Sequence, residues 1–197
     1  MGITCQSAVR LVAFAGIALA SSAHAQTLAK TPWSAGIEGG AARLSLVCKA
    51  SDLPCDRSGY ALGLSMAYAF DPQWGARLSW TGTRRYSGSD RTASGIDYGG
   101  DLEFNVYGAA ATWRTPVGDA QLELRAGLAA VDGDYRARAG GGPSASKTTV
   151  QPLVGIAVEY PLDARFALRL DAQLTRGKVA KLNGNLGTLG VGLVARL

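Results

Sequence analysis

The chain has 197 residues, of which 47% are hydrophobic and 18% charged, with a formal net charge of +5, 26 glycines and 7 prolines. So little charge and so much glycine exclude a coiled coil and a disordered chain, and a mean hydropathy of +0.07 is too polar for a bundle of transmembrane helices. One globular domain or a membrane β-barrel remains.

Residues 1–25 read as a secretory signal peptide. Arg10 supplies the positive charge, Leu11 to Ala20 form an unbroken apolar run of ten, and Ala23-His24-Ala25 is an A-x-A cleavage site. A transmembrane helix needs about 20 apolar residues, and a lipoprotein signal needs a Cys where this chain has Gln26. Cleavage leaves residues 26–197 as one domain and removes Cys5 together with the only histidine, His24. Without imidazole there is no Ser-His-Asp or Cys-His nucleophile, no histidine general base and no histidine metal ligand. Chemistry that relies on carboxylates alone stays open.

The first polar stretch, CKASDLPC, holds Cys48 and Cys55. A pair of cysteines in a Pro-containing segment of an exported chain points to a disulfide, since a zinc site would need two further ligands. The bond would close a ring of about eight residues and remove roughly 2.5 kcal/mol of unfolded-state entropy.

From there on the hydrophobic period is two. Tyr60, Leu62, Leu64, Met66, Tyr68 and Phe70 alternate with Ala61, Gly63, Ser65, Ala67 and Ala69, so one face is large and apolar and the other small. Leu122 to Ala130 and Phe166 to Leu174 alternate in the same way, and Val150 to Tyr160 and Leu189 to Leu197 repeat the pattern. Eight strands are predicted, at 33–44, 58–70, 74–85, 102–114, 120–132, 148–160, 165–176 and 185–197. The first is weakened by Gly36, Gly39 and Gly40. The fourth is ambiguous in register, because Phe104 and Val106 favour one face and Tyr107 and Trp113 the other.

The links after the second, fourth and sixth strands are tight: Asp71-Pro72-Gln73, Pro116-Val117-Gly118-Asp119 and Pro161-Leu162-Asp163-Ala164. The others, around 45–57, 86–101, 133–147 and 177–184, are long and polar. Strict alternation of short and long links with an even strand count describes an eight-stranded antiparallel up-and-down transmembrane β-barrel. Ten residues tilted by about 45° span roughly 23 Å, close to the apolar thickness such barrels cross. Aromatics fall at strand ends as an interfacial girdle requires: Trp33, Tyr68, Phe70, Trp74, Trp113, Tyr160 and Phe166 by the short turns, and Trp80, Tyr86 and Tyr98 toward the long loops. A soluble barrel would turn the row of Ala61, Gly63, Ser65, Ala67 and Ala69 to solvent, which disfavours it.

Stretches such as AYAFDPQWGARLSW, ATWRTPVG and VGIAVEYPLDARFALRLDAQL make the chain from residue 26 onward resemble the OmpA-like and opacity-type eight-stranded outer-membrane barrels. The resemblance implies the outer membrane of a Gram-negative bacterium, a structural, adhesive or host-interaction role, no cofactor, a monomer, and insertion by the barrel-assembly machinery. The family's C-terminal signal usually ends in Phe, whereas this chain ends in Leu197, and no peptidoglycan-binding domain follows.

Two motif-like strings carry no site. GGPSASKT at 141–148 has Ser146 where a phosphate loop needs Gly and precedes a strand. Asp132-Gly133-Asp134 offers too few oxygens for a hard cation, so no metal is expected. The informative set faces the barrel interior: Glu38, Glu123, Glu159 and Asp171 against Arg77, Arg125, Arg169 and Arg196. Paired across a lumen only wide enough for its own side chains, these charges make a plug and the protein a non-enzymatic scaffold. Left unpaired they would line a narrow ion or solute pore, and a carboxylate-based enzyme is the remote alternative. Arg84, Arg85, Arg136, Arg138, Arg176 and Lys178 lie in or beside the long links as candidate contacts for lipopolysaccharide phosphates. Dispersed basic residues in an exported chain do not suit nucleic acid.

Overall fold

The computed structural model describes residues 32–45, 57–91, 97–137, 145–179 and 182–197. The expected signal peptide, the Cys48–Cys55 pair and Arg138 lie outside the described residues. Eight strands follow in order: β1 (Trp33–Leu44), β2 (Ser58–Ala69), β3 (Trp74–Arg91), β4 (Asp97–Val117), β5 (Ala120–Ala137), β6 (Ala145–Pro161), β7 (Phe166–Val179) and β8 (Leu182–Arg196). Each pairs antiparallel with its sequence neighbours, and β1 also pairs with β8 from Ser34↔Arg196 to Leu44↔Leu186, which closes the barrel.

The period-2 pattern decides which side is which. Leu62, Leu64, Met66, Leu78, Leu128, Val154, Leu170 and Leu189 are exposed on the outside, while Ala67, Arg77, Glu123, Arg169 and Asp171 are buried inside. With Leu128 60% and Leu189 64% exposed, this exterior is apolar over its whole girth, which water would not tolerate and lipid requires. Trp33 and Tyr68 pack edge to face at 4.8 Å, and Tyr68 and Phe70 at 5.5 Å, forming part of an aromatic belt at the short-turn end.

The turns are built as their residues dictate. Gly118 and Asp119 alone join β4 to β5, with Gly118 at φ 60°, a conformation glycine adopts without strain. Asp71 accepts the backbone N–H groups of Gln73 and Trp74 at 2.7 and 2.6 Å, and Asp163 those of Arg165 and Phe166 at 2.6 and 2.7 Å.

Four expectations need correction. Strands β3 to β8 run well into the stretches read as loops around 86–101, 133–147 and 177–184, because backbone pairing continues as far as Arg91↔Asp97, Tyr135↔Ala145 and Val179↔Leu182 among residues that carry no periodic signal. Pro116, Val117 and Pro161 lie in strands, which leaves a two-residue turn between β4 and β5 and moves the β6–β7 turn to 162–165. Tyr86, expected in the outer aromatic girdle, is fully buried in the barrel, since an irregularity between Thr83 and Tyr86 inserts a residue and reverses the parity beyond it. The ambiguous fourth strand places Phe104 and Val106 inside and Tyr107 outside, so both of its faces are apolar.

One joint is shorter than the rest. β6 and β7 pair only from Val154↔Leu174 to Pro161↔Ala167, although each continues paired to its other neighbour well beyond that point. Pro152 directs its carbonyl toward β7, where Thr175 Oγ1 donates to it at 2.9 Å, and on that same side proline has no N–H to extend the ladder.

A closed sheet resists dodecyl sulfate until heated, because no edge strand is available for unzipping. Unboiled, membrane-extracted protein is therefore expected to migrate differently from boiled protein in gel electrophoresis, and equal mobility would contradict closure. The two backbone N–H groups on Asp163 hold its carboxyl below the usual aspartate range. A depressed pKa means that the turn is stabilised above the ordinary aspartate pKa, and that this contribution is lost as pH falls through the lower folded value. Carboxyl NMR should find Asp163 titrating below the ordinary aspartate value, and Asp163→Ala should abolish the turn's share of the acid sensitivity.

Candidate functional site: the barrel interior

In the half nearest the short turns, the inward positions of β3, β5, β6 and β7 bring together six of the predicted residues in one hydrogen-bonded network. Glu123 is its hub. Arg77 donates to it through Nε and Nη2, both at 3.1 Å, Arg169 through Nη2 at 2.8 Å, and Arg114 through Nε at 3.0 Å. Glu159 receives Arg169 Nη1 and, at 3.4 Å, Arg77 Nη2. Asp171 takes Arg169 Nη2 at 2.8 Å and a two-pronged contact from Arg125, whose Nη1 lies at 2.6 Å. Ser65 and Gln173 complete it, accepting from Arg77 and Arg125 at 2.9 and 3.2 Å. Arg169 alone thus bridges three carboxylates, with 2% of its surface exposed.

Small residues make the room. A Cβ on Gly155 would stand 2.4 Å from Arg125 Nε, so the guanidinium lies over a position that only glycine can occupy without displacing it. Glu38 and Arg196 also point inward, but neither forms an ion pair among the described residues. Glu38 Oε2 and Arg196 Nη1 are buried without a hydrogen-bond partner.

Two features escaped the sequence reading. Arg114 belongs to the network, and the uncertain register of the fourth strand hid its inward direction. The outer half of the lumen is filled differently, by Leu44, Tyr86, Leu102, Phe104, Val106, Val131, Leu153 and Leu186, all buried in one apolar cluster. The signal was present as large residues on both faces of β4, which a purely polar lumen would not produce. Backbone of β7 closes over this cluster, where a Cβ on Gly177 would come 3.0 Å from the Phe104 ring and 3.4 Å from Leu44.

The candidate rim residues separate. Arg84 pairs with Glu103 at 2.7 Å on the exposed outer end of β3 and β4. Arg136 lies opposite Asp101 in the β4–β5 register. Arg176 and Lys178 are exposed on β7 and line a cavity of about 480 Å³ with Ser45, Gln151 and Asn185. Arg85 falls within β3. Asp132 accepts Thr148 Oγ1 at 3.1 Å, and among the described residues no three of His, Cys, Asp or Glu gather as metal ligands.

Lipid-facing strands, a closed ladder and a side-chain-filled lumen define a transmembrane β-barrel. The sequence matches the profile of the outer membrane protein beta-barrel domain over residues 13–196, and the chain belongs to that family. It resides in the outer membrane of a Gram-negative bacterium. No curated protein matches it in sequence. In fold it is similar to neisserial surface protein A, at 16% identity and TM-score 0.64, with 85% of this chain and 98% of that one covered. OprG of Pseudomonas aeruginosa gives 14% identity and TM-score 0.60 over 83% and 96% of the two chains. Ail, the attachment invasion locus protein of Yersinia pestis, solved with the heparin analogue sucrose octasulfate, gives 20% and 0.50 over 82% and 98%.

Removing one member of a buried ionic network strands its partners, at a cost of about 3–5 kcal/mol. Glu123→Ala leaves three guanidiniums without their shared acceptor and should lower the urea midpoint of the folded barrel substantially. Glu38→Gln, which removes a buried charge that has no ion pair among the described residues, should not lower it. Equal effects would show that the network contributes nothing beyond packing.

Proposed function

We propose that this chain is a non-enzymatic outer-membrane scaffold that holds surface loops for adhesion or surface interaction, and that it conducts no steady current. The observation that carries this reading is the double filling of the lumen. An ionic network occupies the end by the short turns, and an apolar cluster occupies the other. Glu123, Glu159 and Asp171 are all engaged by guanidiniums, which removes the proton-transfer freedom a carboxylate enzyme needs. Ions would meet a dehydrated apolar segment before reaching the charges, which disfavours the pore. The role of the loops is supported by fold likeness to a protein named for attachment and solved with a heparin analogue.

On this reading the protein is a monomer inserted by the barrel-assembly machinery, and its rim cations meet the phosphates of lipopolysaccharide. The Cys48–Cys55 bond would order the first loop. Two measurements test the proposal together. Protein reconstituted in a planar bilayer should give no sustained openings at moderate voltage, and a strain lacking it should lose surface adhesion while keeping its barrier to small solutes. Discrete, persistent channels from the unmodified protein would overturn it in favour of the pore.

A further inference from the structure

Among the described residues, charge at the outer rim is unevenly distributed. On the β3–β6 side cations and acids are interspersed: Arg84 is bonded to Glu103, Arg136 faces Asp101, and Asp132 and Asp134 share the same strand ends. On the β7–β8–β1–β2 side stand Arg176 and Lys178 of β7, Arg43 of β1 and Arg57 just before β2, all exposed. Among the described residues no Asp or Glu lies at the outer end of these four strands, and none of the four cations makes an ion pair.

Their direction and depth can be read from the register. Arg176 and Lys178 alternate with buried Thr175 and Gly177, and Arg43 sits between buried Ala42 and Leu44, so all three project away from the barrel axis. Arg43 and Leu174 are both cross-strand partners of Gly187, which places the cations level with or just beyond the last lipid-exposed leucine of β7. Side chains that leave the barrel sideways at the edge of its apolar band enter the headgroup layer. Four adjacent strands make an arc of about 14 Å, and the 480 Å³ cavity opens within it where β6 and β7 part.

We infer that this arc is a binding site for the phosphorylated saccharide headgroup of an outer-leaflet glycolipid. Arg43, Arg176 and Lys178 hold its phosphates, and Ser45 and Asn185, hydrogen-bonded to each other at the cavity wall, offer polar atoms to the sugar. Guanidiniums suit phosphate because they can donate two parallel hydrogen bonds. The inference rests on the proposed contact of the rim with lipopolysaccharide and narrows it to one side of the barrel, excluding Arg84 and Arg136.

The test uses the full protein in phosphatidylcholine nanodiscs doped with diphosphorylated or dephosphorylated glycolipid, with the glycolipid retained on the protein measured by native mass spectrometry. Retention of the diphosphorylated form should fall by on the order of a hundredfold in the triple variant Arg43→Gln, Arg176→Gln, Lys178→Gln. Arg84→Gln with Arg136→Gln should change it less than about twofold. Heat-shifted gel mobility checks that both variants are folded. Equal losses from the two sides would overturn the localised site and leave the wider lipopolysaccharide reading standing. No preference of the unmodified protein for the phosphorylated form would overturn both. Tighter capture of a soluble sulfated saccharide through the same three residues would overturn the lipid in favour of a polyanionic polysaccharide.

Discussion

Lipid offers no hydrogen bonds to a backbone, so a strand can cross it only when both of its edges are paired. The bonding of β1 to β8 is therefore the contact on which the rest of the molecule depends. Once the sheet closes at eight strands, the exterior must be apolar and the interior is too narrow for a continuous water-filled channel, so most of the charged side chains inside have to satisfy one another. The glycines and alanines of β1, β2 and β8 are the counterpart of the arginines of β3, β5 and β7. Long guanidiniums reach across the lumen because the facing strands offer mostly glycine, alanine and serine there, with Glu38, Val194 and Arg196 as the larger exceptions.

The two fillings of the lumen make different demands. Apolar contacts among Leu44, Phe104, Leu153 and Leu186 are tolerant of small shifts, since dispersion is not directional. Carboxylates and guanidiniums are not tolerant, because a misplaced partner leaves a charge in a medium that cannot screen it. The ionic half thereby selects one alignment of the strands. Arg169, tied to residues on β5, β6 and its own strand, fixes their relative register more narrowly than backbone pairing does, which repeats every two residues.

Most of the fold was legible because lipid outside and small or charged residues inside produce a strong alternation, clearest in β2, where Leu62, Leu64 and Met66 face out and Gly63 and Ala67 face in. Three of the four acids and three of the four bases expected inside meet in the network, since parity alone places them. What stayed hidden has a common physical origin. Parity is local, and one inserted residue reverses it, as between Thr83 and Tyr86. A face can also be apolar for either of two reasons, lipid or a dry interior, and β4 has both, which concealed Phe104 among the core residues and Arg114 among the ionic ones. The outer ends of β3 to β6 are held by backbone hydrogen bonds, which leave no trace in side-chain type.

The joint between β6 and β7 bears on how the wall moves. Every other pair of neighbours is laced over a longer stretch, while here the ladder stops at Val154 and Leu174 and a single side-chain bond from Thr175 to Pro152 continues it. A closed sheet is a hoop, and thermal strain in a hoop concentrates at its weakest seam. Any parting of the wall would thus begin at the outer end of this seam, beyond Val154 and Leu174, where the Thr175–Pro152 bond joins the two strands. The outward lip is thereby the part of the wall least tied across its strands, while the ladder below it runs unbroken from Val154 to Pro161 and holds the circumference of the membrane-embedded ring.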